Sequence, residues 1–507
     1  MDGPLLVLDP RDDAPLGARL VDGVRRGILG GLLAPGDPVP STRALAAELG
    51  VSRSSVVAAY EQLAGEGYLE LRQGAPTRVA RLVVEPEASA PAPRTSTSRP
   101  AAVAPASTER AEHRIDLLPG SPSTSRIDER AWRSAWRQAA AAPIPRQSPP
   151  RTGLAGLREE IADHLRQARG VSCSSDDVVV TAGTSEALAL LGGALLELAR
   201  ERREHDRRRS APTVAVEHPG YPSARRLLER RGLAIAPLPV DADGLDLDAL
   251  RRMPRPPEAV MVTPSHQYPL GGRLPVASRL ELIDWARAHG TLIIEDDYDS
   301  EFRHLGAPLP ALASLDRLGA ASGRTGDERS AERTVLVGSF SKVLTPWLRL
   351  GYLVLPGDQA LRAAVLRIRA DEPCPVPGPA QEAMRAFLAS GALRRHIAAT
   401  RRDYAHRRRM VQAVLGDLPG APLSGLDGGL HGVIRLDDAE TSAAIVARLA
   451  DEGVGVAPLA DYSAVPGELP GGIVFGYAGV GDAQLGEGLE RIRAALLDTL
   501  DPARLEG

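Results

Sequence analysis

The sequence predicts two folded units of different class: a small N-terminal winged helix-turn-helix and a large α/β unit built on a mostly parallel sheet. Three observations predict this. The first eighty residues carry helix, helix, turn, helix and hairpin signals in that order. Past residue 113, short apolar runs rich in β-branched residues alternate with helical patterning. Between the two lies a Pro/Ala/Ser/Thr stretch from Val84 to Glu112 with almost nothing to bury. At 507 residues the chain is too long for one ordinary domain. The expected boundaries are residues 1–82, a linker over 83–112, and residues 113–507.

In the small unit, Leu16 to Leu29 places Leu16, Leu20, Val24 and Ile28 at helical spacing and ends at Gly30-Gly31. Pro40-Ser41-Thr42 caps a second short helix, Arg43 to Leu49, because a serine oxygen accepts from an otherwise orphaned amide. Gly50-Val51-Ser52 makes the turn, and Ser52 caps a third helix running to about Ala64. Gly67 to Leu71 and Thr77 to Ala80 read as strands around Gln73-Gly74-Ala75-Pro76. A third helix so placed is shaped to enter a major groove.

The stretch from Leu33 to Arg53, followed by Ala59-Tyr60 and Gly67-Tyr68-Leu69, resembles the GntR-type DNA-binding domain across the whole small unit. The resemblance implies double-stranded operator or promoter DNA as a partner. It implies Arg43, Ser52, Arg53 and Ser54 at phosphates and base edges, with Arg53 forking to a guanine. Gly74, at the wing tip, is implied to enter the minor groove. Residues 1–80 hold eight arginines against ten acids, so no overall basic field drives binding. Placed contacts and two copies acting together have to supply the affinity.

Net charge of −4 argues against a chain that binds polyanions over its whole surface. The two cysteines, Cys173 and Cys374, fit a reducing compartment and make no metal pattern, so no metal site is expected. No basic-then-apolar leader opens the sequence, and no apolar run reaches membrane-spanning length. The expectation is a cytoplasmic protein with no membrane partner.

In the large unit, Val178 to Thr181, Thr213 to Val216, Ala259 to Thr263, Leu292 to Glu295 and Thr334 to Gly338 read as buried parallel strands. Ser185 to Leu198, Ser223 to Arg231 and Leu280 to Ala288 read as helices between them. Leu318 to Arg333, charged and poorly apolar, reads as a surface loop. Ligands of such sheets gather where the strands end, and polar clusters stand at those ends. Gly183-Thr184-Ser185 opens a helix and offers amides and hydroxyls to a phosphate. Tyr221 can lie flat on a planar ring. Asp296 can pair with a protonated ring nitrogen, and Tyr298 can donate to a phenolate oxygen.

Lys342 is the only lysine; the other sixty basic residues are arginines. A guanidinium stays protonated and cannot attack a carbonyl, so one retained amine points to Schiff-base chemistry. Ser339 and Ser341 precede it and Arg349 follows it, in the manner of a phosphate cradle. Together these residues are the parts needed to hold pyridoxal 5'-phosphate.

Thr263-Pro-Ser-His-Gln-Tyr-Pro-Leu-Gly271, Glu295-Asp-Asp-Tyr-Asp-Ser-Glu-Phe302 and Gly338-Ser-Phe-Ser-Lys342 resemble signatures of fold-type I aminotransferases. With the GntR-type unit in front, nearly the whole chain resembles the MocR/GabR regulators. The resemblance implies a fold-type I PLP-dependent transferase domain with a smaller C-terminal α/β subdomain. It implies a Schiff base on Lys342, a ring-nitrogen contact from Asp296, a ring-oxygen contact from Tyr298, and phosphate contacts from Ser339, Ser341 and Arg349. A head-to-tail homodimer is implied as well.

Several positions depart from the family pattern. The chain contains no asparagine, and Tyr268 stands where aminotransferases place one. Tyr221 is followed by Pro222-Ser223 where GabR-like chains carry an arginine soon after. Near Val456 to Tyr462 and Phe475 to Gly479 no arginine is present to clamp a substrate carboxylate. The expected function is therefore a transcription regulator that senses pyridoxal phosphate or an amine, in vitamin B6 or amino-acid metabolism. The alternative is a working aminotransferase with an appended DNA-binding domain; full transamination is not expected.

Overall fold

A computed structural model describes residues 16–29, 33–34, 36–65, 68–70, 76–80, 114–205, 211–305, 309–321, 332–465, 467–468 and 471–500. The expected linker 83–112 and Gly74 lie outside the described residues. The chain divides into two compact units, residues 1–61 with 68–114, and residues 62–67 with 115–507.

The small unit forms helices over Leu16–Leu29, Thr42–Leu49 and Arg53–Gly65. Ser41 Oγ accepts from the Ala44 amide at 3.2 Å, and Gly50 ends that helix at φ 63°, where a side chain would be strained. Ser52 Oγ accepts from the Ser55 amide at 3.1 Å and so starts the third helix. Leu69–Glu70 and Arg78–Val79 pair antiparallel as the wing's strands. Leu20, Val24, Leu45, Val56 and Leu63 are buried, each contributing about 1.5–3 kcal/mol.

The large unit centres on an eight-stranded sheet in the order Val178–Thr181, Gly351–Val354, Thr334–Ser339, Leu292–Asp297, Ala259–Val262, Thr213–His218, Ala234–Asp241 and Gly244–Leu245. All five expected strands form. Successive residues of these strands face opposite layers of core: Met261 and Ile294 pack in one, Val260 and Ile293 in the other. Burial on both faces is why the strands read as continuous apolar runs. Gly351–Val354 runs antiparallel between two strands that are parallel to each other, which makes the sheet mixed. A smaller antiparallel sheet follows, ordered Leu423–Ser424, His431–Arg435, Gly472–Gly476 and Ala457–Pro458.

One expectation is corrected. The helix Leu312–Ala321 occupies the first four residues of the stretch expected as a loop from Leu318; residues 322–331 lie outside the described residues. The cause is tertiary. The buried Glu295 carboxylate, on a neighbouring strand, accepts from the amides of Leu312 and Ala313 at 2.9 Å each. That cap, with Leu312 and Leu315 buried, carries the helix through a locally weak sequence. Among the described residues, no helix is long and apolar enough to cross a membrane.

Candidate functional site

The strands Val178–Thr181, Thr213–His218, Ala259–Val262, Leu292–Asp297 and Thr334–Ser339 all end on one edge, and a cavity of about 170 Å³ opens there. Nine of the ten residues expected at a cofactor line it: Thr184 and Ser185 from a helix start, Tyr221 and Tyr298 after strand ends, Asp296 within its strand at the last position but one, then Ser339, Ser341, Lys342 and Arg349. The tenth, Gly183, has φ 92°, and a Cβ there would stand 3.9 Å from Arg349 Nη2 and 4.0 Å from Ser339 Oγ. It brings the start of the helix Thr184–His205 alongside the serine and the arginine.

The geometry fits an anionic group at this corner. Ser339 Oγ bonds Ser341 Oγ at 2.9 Å and accepts from the Ser341 amide at 3.1 Å. Arg349 is the sole non-glycine with positive φ among the described residues, at 44°. A bulky side chain in that region is strained, and such outliers gather at functional sites. Here the strain sets Arg349 next to Ser339, two residues before the strand Gly351–Val354 begins.

The charge of the cavity is unusual elsewhere too. Burial, then the charges of Asp297, Glu217 and Asp299, push the Asp296 carboxyl up to about 7. Its Oδ1 is buried and finds no hydrogen-bond donor among the described residues. A protonated ring nitrogen would supply the missing donor and the missing positive charge. Lys342 Nζ donates to the Gly120 carbonyl at 2.6 Å. A Cβ on Gly120 would lie 2.6 Å from that nitrogen and displace the amine, and φ 95° at this position favours glycine. A group with an aldehyde, a basic ring nitrogen and a phosphate, as pyridoxal phosphate has, would fit these features.

Several residues of this wall carry no assignment from sequence reasoning. Glu217 is buried, pushed up to about 7 by desolvation, and takes the Thr263 hydroxyl at 2.5 Å. Thr263, Leu430 and His431 line the cavity with Tyr268. Burial, with the His266 charge nearby, drives His431 down to about 3, so it is neutral. Tyr268 packs edge-on against Tyr221, Tyr298, His431 and Tyr462. The signal for it in the sequence was its place where aminotransferases carry an asparagine. His266, Asp299 and His431 bring possible metal-ligand atoms within 4.8 Å. Hydrogen bonds already account for them: His266 to Asp299 and Gly425, His431 to Pro269.

In the small unit, Arg43, Ser52, Arg53 and Ser54 are all exposed. Ser52 and Ser54 hydroxyls bond each other at 2.9 Å. Arg43 is the second residue of the second helix, which begins one residue earlier than expected, and Arg53 opens the third, the helix expected in the groove.

Comparison with known proteins bears on both units. The family model for aminotransferase class I and II matches residues 119–492, and that for bacterial regulatory proteins, gntR family, matches residues 16–79. The HTH-type pyridoxine biosynthesis transcriptional regulator PdxR of Corynebacterium glutamicum is 40% identical over 474 residues, covering 93% of this chain and 94% of its own. The probable rhizopine catabolism regulatory protein MocR of Rhizobium meliloti is 31% identical over 513 residues, covering 97% and 96%. Among solved structures, Pyrococcus horikoshii kynurenine aminotransferase matches with a TM-score of 0.65 at 22% identity, over 77% of this chain and 92% of its own. That likeness speaks for the fold. The chain belongs to the MocR/PdxR-type transcriptional regulators, in which a GntR helix-turn-helix unit is fused to a class I/II aminotransferase domain.

Proposed function

We propose that this regulator holds pyridoxal phosphate on Lys342 and that the cofactor itself, or an amine reaching it, is the signal that changes DNA binding. The observation that carries the reading is the orphaned, buried Asp296 oxygen beside the chain's single lysine and the Ser339–Ser341–Arg349 corner. Pyridoxal phosphate supplies an aldehyde and an electron-withdrawing ring. Lys342 provides the only side-chain primary amine in the sequence for that aldehyde. Asp296 as carboxylate keeps a proton on the ring nitrogen, Tyr298 donates to the ring oxygen, and Tyr221 covers a ring face. Gly183, Thr184 and Ser185 add amides and hydroxyls at the phosphate.

The cavity favours sensing over turnover. Among its described lining residues Arg349 is the one guanidinium, and it belongs to the phosphate corner. A substrate carboxylate would have to be desolvated without a fork to receive it. The PdxR relative is a regulator of pyridoxine biosynthesis by name, which supports vitamin B6 synthesis genes as targets and the cofactor as signal. Arg43, Arg53, Ser52, Ser54 and Gly74 would contact an operator, and a head-to-tail homodimer would present two such units.

The test is binding to DNA upstream of the protein's own gene, comparing stripped and cofactor-loaded protein at fixed salt. A changed affinity or footprint is expected, since a ligand shifts an equilibrium only by binding its states unequally. Identical binding by both forms, together with normal regulation by Lys342→Ala, would overturn the reading. Multiple turnover on an amino donor and keto acceptor would favour the aminotransferase alternative.

A further inference from the structure

His266 is a buried group beside the cavity with no part in the reading so far. Its two ring nitrogens both face acceptors. Nδ1 lies 2.9 Å from Asp299 Oδ2, and Nε2 lies 3.2 Å from the Gly425 carbonyl. With Asp299 ionised, the two acceptors require two N–H donors, which only the imidazolium has. Burial raises the Asp299 carboxyl, and the charge and hydrogen bond of His266 work against that rise. Burial pulls His266 down, but the charge and hydrogen bond of Asp299 outweigh it, and its pKa stands above the ordinary 6.5. Asp427 acts in the same direction; the Arg273 and Arg303 side chains line the same region, and the neighbouring His431 is neutral.

The Tyr298 hydroxyl sits 3.0 Å from the same Nδ1 and donates to the His266 carbonyl at 2.9 Å. Its ring lies 26° from the plane of the imidazole. Tyr298 lines the cavity, whereas His266 does not, so the histidine reaches the ligand space only through the phenol. The other side of the pair is clamped. A Cβ on Gly429 would stand 2.2 Å from Asp299 Oδ2 and 2.5 Å from His266 Cε1. The next two residues, Leu430 and His431, return to the cavity wall.

We propose that His266, paired with Asp299, is a positioning residue: its Nδ1–H holds and polarises the Tyr298 oxygen from behind, so that the O–H, which here donates to the His266 carbonyl, can turn to the cofactor's ring oxygen, and the pair ties Tyr298 to the loop 425–431. This rests on the cofactor reading above. A cation behind the phenol strengthens its donation, and a ring oxygen that accepts a stronger hydrogen bond lends less electron density to a Schiff base on the same ring and lowers its proton affinity. The loop leads into the strand His431–Arg435 of the small sheet, so a change at Tyr298 is felt there.

The test is the pH titration of Schiff-base absorbance in cofactor-loaded protein. His266→Gln keeps a donor and loses the charge; Asp299→Asn keeps the histidine and loses its anion. Each is expected to raise the titration midpoint by about one unit. In a Tyr298→Phe background, His266→Gln is expected to add nothing further, because its path to the cofactor is gone. Titrations that superimpose on the parent overturn the proposal, as does an undiminished shift in the Tyr298→Phe background. Nitrogen NMR of the imidazoles in cofactor-free protein gives a second readout. The signal lost in His266→Gln is expected as imidazolium at neutral pH, becoming neutral in Asp299→Asn; a neutral parent signal overturns the charge pair and the role with it. A parent that forms no Schiff-base band overturns the cofactor reading first, and is told apart by that missing band.

Discussion

Two patches of one cavity wall are built on opposite principles. At one, Ser339 and Ser341 hydroxyls, the strained Arg349 and the start of the helix Thr184–His205 converge on a small volume. At the other, Tyr268 lies edge-on to three tyrosines and to His431, with Leu430 beside them. The first patch is made for an anion; the second offers rings and a neutral imidazole. The contrast teaches that the guanidinium and hydroxyls of this wall gather at one patch, and that a ligand at the other patch meets little that is charged.

The largest effect tests the anchor. Reduction with borohydride followed by peptide mass analysis should place one phosphopyridoxyl adduct on Lys342, and none on Lys342→Ala, since the chain has no other lysine. A trapped adduct elsewhere would break the comparison at its base. Next is Asp296→Asn in stripped protein. The carboxyl rises from an ordinary 3.8 to about 7 in the folded chain. Between those values the native chain holds a proton that the unfolded chain has released, so stability falls as pH rises through the window. The variant escapes that loss and should melt higher at pH 8, by up to roughly 3 kcal/mol. The difference should vanish below pH 4, and cofactor affinity should fall.

Arg349→Met sharpens the contrast from the anionic side. Loss of charge-assisted bonds should cost about 1.5–3 kcal/mol of cofactor binding, read by equilibrium dialysis. The smallest effect belongs to the aromatic patch. Tyr268→Phe removes one hydrogen bond, to Tyr462 at 3.2 Å, and should cost about 1 kcal/mol of thermal stability with little change in cofactor affinity. A large affinity loss there would show that the two patches share the cofactor.

Legibility in the sequence followed the range of the interactions. The helices of the small unit rest on local caps, so Ser41, Gly50 and Ser52 announced them. Five sheet strands announced themselves by burial on both faces. Two others did not. Ala234–Asp241 contains Pro237 and Pro239, which argue against a strand. The strand pairs along its length with Thr213–His218 but beyond it only through Val240 and Asp241, so missing amide donors are tolerated. Gly351–Val354 is too short to declare a direction, and its antiparallel insertion depends on its two neighbours. At the site, residues whose chemistry is distinctive stood out, Lys342 above all. Glu217, His266 and His431 did not, because their protonation depends on what surrounds them.

The sequence by itself determined the two-unit plan, the caps of the helix-turn-helix, the parallel strand set and nine of the residues that line the cavity. Each of these is written in local pattern or in residue type. Only the tertiary structure decided that Asp296 is buried without a donor, that His266 is paired with Asp299 behind Tyr298, and that the rest of the cavity is closed by tyrosines. Those are properties of burial and of charges brought together from distant parts of the chain. Desolvation and Coulomb coupling act through space, and no spacing along the sequence encodes them.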